Sequence, residues 1–302
     1  MRYAVQRYCA LRPVRDSSLV VISRCRSNSR GRYPPQIDAV CHFLDQLAMR
    51  KYKEITYERA GPVVTLTINR PAAGNTITEG LAQELADACK SIYEDSSVLV
   101  TVLTGAGDKS FCAGTDSMVS PFGGWKGARP LVAGSVASLN CAVIAAINGD
   151  ALDQGLELAM ACDIRVAAET ANFRLSISSG VVPCDGGTQR LPRLVGKAKA
   201  LEMMLAGEII DAREALRIGL VNRVVSPGEL IFVVKDMAQS IASKAPWALR
   251  YAKEAINKGM ELTLGEGLRL EADLYSLLQT TSDRIEGVTA FVEKRSAQFK
   301  GE

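Results

Sequence analysis

The chain has 302 residues, of which 47% are hydrophobic, and a formal net charge of +3. No apolar run approaches the roughly 18 residues needed to span a bilayer, and the net positive charge is confined to residues 1–48, leaving 49–302 slightly acidic and without the basic face of a nucleic-acid binder, so neither membrane nor nucleic acid is expected as a partner. The 8 Cys form no C-x-x-C pair and the only His is His42, which leaves no metal-ligand spacing and no His-dependent triad.

Residues 1–48 hold eight Arg, no Lys and three acids, while 49–302 carry a small negative balance. An Arg-rich, Ser-rich, acid-poor leader of this kind reads as a transit peptide to the mitochondrial matrix. The alternative is that Met49 is the true start and the protein is cytoplasmic, and the shift from Arg-only to mixed Lys/Arg usage favours it. On either reading 1–48 are expected to be poorly ordered, apart from a short helix at 37–47. Residues 62–68 (PVVTLTI) and 98–104 (VLVTVLT) have the β-branched content of strands, and 81–93 repeats apolar residues at helical spacing. Gly105-Ala106-Gly107 is a turn, too short for a dinucleotide fingerprint. Residues 111–116 (FCAGTD) make a small-residue loop that lets backbone approach a ligand. Residues 121–127 (PFGGWKG) form a Gly-rich stretch where Phe122 and Trp125 either contact a ligand or pack within the loop.

The most informative segment is 142–163. Residues 142–147 (AVIAAI) read as a strand, Asn148-Gly149 as a turn, and 156–162 as a helix whose apolar spacing leaves little polar face for Glu157. A carboxylate there either caps its own helix or is a buried chemical group. Further on, residues 198–205, 212–218, 247–258, 264–279 and 284–299 read as scaffold helices, with Gly219 as a stop. The cysteines read as buried thiols of a reducing compartment, and Cys112 and Cys184 are either reactive or small core residues.

Taken in order, Asn69-Arg70-Pro71 with Asn75, then FCAGTD at 111–116, NGDALDQGLELAMACD at 148–163 and GGTQRL at 186–191 make the chain resemble the crotonase superfamily, the enoyl-CoA hydratase/isomerase fold. The likeness covers residues 52–302 and continues through Ala206-Gly207-Glu208, Asp283–Gly287 and Phe291–Arg295. It implies an α/β fold: a spiral of ββα units at 49–245 followed by a helical trimerisation domain at 246–302, assembled as a homotrimer or dimer of trimers. It implies an acyl-CoA thioester as substrate and no other cofactor, coenzyme A being part of the substrate, and no metal. The resemblance places Ala113 and Gln154 as the two main-chain donors to the thioester oxygen, and Glu157 as acid/base. Ala73, Ala113, Gly114, Thr115 and Asp116 would line the coenzyme A channel, and Phe291 and Lys294 would reach a neighbouring subunit's coenzyme.

Two departures bear on mechanism. Hydratases of the family usually show three glycines where this chain has Asp153-Gln154-Gly155, which raises the question of strain at Gln154. A second glutamate is expected about twenty residues after Glu157, yet neither Ser176 nor Ile177 is a carboxylate. Asp185 is the best substitute acid, its alternative being an N-cap. The resulting expectation is hydration of an enoyl-CoA. The alternatives are thioester hydrolysis, decarboxylation or C–C chemistry through the same enolate, or non-catalytic acyl-CoA binding.

Overall fold

A computed structural model describes residues 52–115, 131–177 and 182–302. The extension at 1–48, His42 and Asp116, Phe122 and Trp125 lie outside the described residues. The strands are β1 (Ile55–Ala60), β2 (Val63–Ile68), β3 (Val100–Gly105), β4 (Ser110–Cys112), β5 (Ala142–Ile147), β6 (Asp150–Leu152), β7 (Ile164–Ala168), β8 (Asn172–Arg174), β9 (Ile210–Asp211) and β10 (Arg223–Val225). They form a six-stranded sheet, β1-β2-β3-β5-β7-β10, and a four-stranded one, β4-β6-β8-β9. Every pairing is parallel except β1 with β2 and β8 with β9.

The helices are α1 (Glu79–Glu94), α2 (Ala133–Ala137), α3 (Gln154–Met160), α4 (Gly187–Val195), α5 (Lys197–Ala206), α6 (Ala212–Arg217), α7 (Leu230–Ala242), α8 (Pro246–Gly259), α9 (Leu264–Leu278) and α10 (Ser282–Val292). Each successive coil gives one strand to the large sheet, the next to the small sheet, and then a helix: β3-β4-α2, β5-β6-α3, β7-β8-α4. This is the expected spiral of ββα units.

Parallel strands covered on both faces need apolar residues on both. On β3 and β5, Leu103, Val143 and Ala145 face one core with Leu81, Leu85 and Ile92 of α1 and Leu156 of α3. Val100, Val102, Ile144 and Ala146 face the other core, against Leu230, Val234 and Ala238 of α7. Helix α1 starts where Thr78 Oγ1 accepts a hydrogen bond from the N–H of Leu81 at 3.0 Å. Helix α9 opens on a capping box between Thr263 and Glu266.

Some boundaries differ from the periodicity reading. Asn148-Gly149 leads into β6 rather than directly into a helix, because Gly149 passes so close to β4 that an added Cβ would lie 2.3 Å from the carbonyl oxygen of Lys109. The last helix ends at Val292 rather than continuing to 299, where Lys294 adopts a left-handed φ of 54°.

Candidate active site

The site is assembled where two successive coils touch, at the start of α3. The first intrahelical hydrogen bond there runs from the N–H of Glu157 to the carbonyl of Asp153 at 3.1 Å, so the amides of Gln154, Gly155 and Leu156 precede the helical ladder. A Cβ on Gly155 would lie 2.0 Å from the carbonyl oxygen of Cys112, so only glycine lets β4 pass. The left-handed residue of this turn is Asp153, with φ 48° and ψ −113°, and Gln154 is not among the positive-φ residues. Strain therefore falls one residue before the position at which the sequence raised it. The Asp153 side chain holds the turn: its carboxylate accepts from Arg174 Nη2 at 2.6 Å, and from the N–H and Oγ of Ser176, both at 3.1 Å. The same contact pushes the Arg174 guanidinium above its ordinary pKa.

The second component is the loop after β4. Two asparagines shape its approach. Asn75, buried and left-handed at φ 56°, donates to the carbonyls of Ala106 and Ser110 at 3.0 and 2.7 Å. Asn148 donates to Gly107 O at 2.8 Å and accepts from the N–H of Gly105 at 3.1 Å. Past β4, the N–H of Ala113 donates to the carbonyl of Gly74 at 3.0 Å, and the carbonyl of Gly114 accepts from Ile77 N at 2.8 Å. The loop containing exposed Ala73 is thus stitched to the one carrying Ala113. This corrects the assignment of Ala113 as a donor to substrate, since its amide is already satisfied by Gly74. The backbone that comes up against α3 is that of Gly114, where a Cβ would lie 3.8 Å from the nitrogen of Gln154. The Thr115 hydroxyl donates to Gln154 Oε1 at 2.6 Å.

Glu157 is completely buried. Its Oε1 accepts from the N–H groups of Asp185 and Gly187, each at 2.8 Å. Gly187 is the first residue of α4, whose positive end favours a carboxylate. Glu157 therefore caps the following helix rather than its own. Glycine is required there, because a Cβ on Gly187 would stand 2.8 Å from Glu157 Oε1 and 2.8 Å from Leu175 Cδ2.

Asp185 is not the N-cap of α4, whose N-cap residue is Gly186. The Asp185 carboxylate instead reaches back to the start of α2, where Oδ2 accepts from Val132 N at 2.8 Å and Ala133 N at 3.1 Å. The same oxygen accepts from Gln154 Nε2 at 3.0 Å. Three donors on one oxygen hold the Asp185 carboxylate in place.

Ala113, Gly114, Thr115, Gln154, Glu157 and Asp185 thus belong to one chain of contacts, and Lys294 does not: it sits exposed beyond α10. Sequence reasoning passed over Asp153, Gly187 and the anchoring role of Asn75. Only the Gly186-Gly187 pair signalled a close approach. Burial pushes the Cys112 thiol up to about 12, as expected of a core residue, whereas Cys184 is exposed.

A family model described as enoyl-CoA hydratase/isomerase matches residues 58–302. The crotonyl-CoA hydratase of Syntrophomonas wolfei is 42% identical over 257 residues, covering 82% of this chain and 98% of that protein. The short-chain-enoyl-CoA hydratase of Clostridium acetobutylicum is 41% identical over 251 residues, covering 81% and 96%. Among solved structures, the enoyl-CoA hydratase of Bacillus anthracis superposes with a TM-score of 0.78 at 39% identity, covering 83% of this chain and 100% of that one.

Proposed function

The chain belongs to the enoyl-CoA hydratase/isomerase family, and from that premise we propose that it adds water across the double bond of an α,β-unsaturated acyl-CoA. The observation that carries this reading is Glu157: a carboxylate with no solvent exposure, held by two amides one turn from the start of α3. Burying a charge that does nothing would be costly. The thioester oxygen accepts hydrogen bonds from the main chain at Thr115 and at Gln154 and becomes an enolate oxygen as the reaction proceeds. Glu157 takes a proton from water as the hydroxyl oxygen bonds to the β-carbon, then returns it to the α-carbon, so that one carboxylate serves as base and acid in turn. The overall change is addition of one water molecule, with no cofactor beyond the coenzyme A carried by the substrate.

Ala73, Ala113, Gly114 and Thr115 line the coenzyme channel in this reading, and Asp116, also expected there, lies outside the described residues. Lys294, with Phe291, meets the coenzyme of a neighbouring subunit in a trimer or dimer of trimers. Exposed apolar side chains along α8 to α10 support that association. A second reading, another reaction through the same enolate, is favoured by Ser176, which stands where a second carboxylate is expected and gives both its N–H and hydroxyl to Asp153.

Crotonyl-CoA hydration followed at the conjugated thioester band tests the first reading. Glu157→Gln should lose about 10²- to 10⁴-fold in kcat, the usual worth of a general acid–base group, while still binding the thioester. Wild-type protein that binds crotonyl-CoA without hydrating it would remove the hydratase reading, and a fully active Glu157→Gln variant would remove Glu157.

A further inference from the structure

The first residue of α3 carries a side chain that the main-chain role described for it does not need. That side chain is completely buried. Its two ends are not interchangeable: Oε1 accepts from the Thr115 hydroxyl at 2.6 Å, and Nε2 donates to Asp185 Oδ2 at 3.0 Å. Asp185 Oδ2 is the acceptor, so the amide has one orientation that satisfies both neighbours. Beyond Asp185 the connection continues, because the N–H of the same residue holds Glu157 Oε1 at 2.8 Å. On the far side, Asp185 Oδ2 is itself pinned by the amides of Val132 and Ala133.

We propose that the Gln154 side chain is a positioning residue for the hydration described above, a brace that sets the spacing between the main-chain donors at Thr115 and Gln154 and holds both in register with Glu157. The inference rests on the reading under Proposed function. Its physical basis is the steep distance dependence of oxyanion stabilisation: a donor contributes about 10²- to 10³-fold when placed about 2.7–3.1 Å from the developing charge, and loses much of that when loosened. The loop carrying Thr115 and the start of α3 come from different coils. Between their side chains the brace is a direct hydrogen bond.

The side chain can be changed while the backbone amide stays. Gln154→Met keeps the length and apolar bulk but removes both hydrogen bonds. Thr115→Val removes the same link from its other end and keeps the loop's shape. Each variant should lose roughly 10-fold in kcat for crotonyl-CoA with KM changed less than about 3-fold, and the double variant should be about as impaired as Gln154→Met alone, because that change already removes the link to Thr115.

The signature that a merely structural role does not move is the red shift of bound cinnamoyl-CoA, whose conjugated thioester reports carbonyl polarisation. Both variants should show a smaller shift at saturation, with thermal melting confirming the fold. If Gln154→Met does not fold, Thr115→Val carries the same test. Full kcat with an undiminished shift in the folded variants overturns the brace, and so does a loss confined to KM. Wild-type protein that shifts cinnamoyl-CoA without hydrating crotonyl-CoA sinks the hydratase reading but leaves the brace to be judged by the shift. No shift in the wild type overturns the brace as well.

Discussion

A fully buried carboxylate persists only where donors replace the water it has lost, and for Glu157 those donors are the amides of Asp185 and Gly187. The second amide is reachable because residue 187 has no side chain. Gly187→Ala would push a Cβ to 2.8 Å from Glu157 Oε1. It should therefore lower kcat by at least about 10-fold through displacement of the carboxylate and cost about 1–3 kcal/mol of stability from overpacking, measurable by hydration kinetics and urea unfolding. The burial of Glu157 is legible in the sequence because its apolar neighbours leave no polar face. The partners of Asp185 are not legible, since Val132 and Ala133 lie 53 and 52 residues before it. Nor is the satisfied amide of Ala113, because pairing with Gly74 depends on how two loops meet, and spacing along one chain carries no trace of that.

At the level of elements, periodicity locates what is long and misses what is short. Helix α1 and strands β2, β3 and β5 fall where apolar spacing puts them, within a residue or two at each end. Strands of two or three residues, such as β6, β8 and β9, have too few positions to alternate, and the whole small sheet goes unseen. Helix α8 shows a different limit. None of its residues is buried, yet it is fixed to the large sheet by Lys253, whose Nζ donates to Asp163 Oδ2 and to the carbonyl of Cys141, both at 2.8 Å. Asp163 Oδ2 also accepts from the N–H of Val143 at 2.8 Å at the start of β5. Lys253→Met should cost about 2 kcal/mol in urea unfolding, less than breaking a fully buried pair because both partners keep some solvent.

Across the whole molecule, the repetition of strand, short strand and helix presents the turn that starts α3 to the loop that follows β4. The ordered motifs made that architecture readable without any single one being decisive. What they leave out is the apolar surface on the terminal helices, where Phe291 is 85% exposed and Leu264 79%. In the proposed trimer this patch on α8 to α10 is the association surface. Phe291→Glu should shift sedimentation velocity of a trimeric protein toward the 32.4 kDa monomer, and a wild type that sediments as a monomer at every concentration would rule out the trimer. The carbonyl of Cys112 against Gly155 sets a further bound, on how such a centre can diversify. With 2.0 Å between that oxygen and any Cβ at 155, substitution there would wedge neighbouring coils apart, whereas Asp153 and Gln154 already carry side chains. Side-chain variation in this turn is thereby confined to two adjacent positions, with the third closed to everything larger than hydrogen.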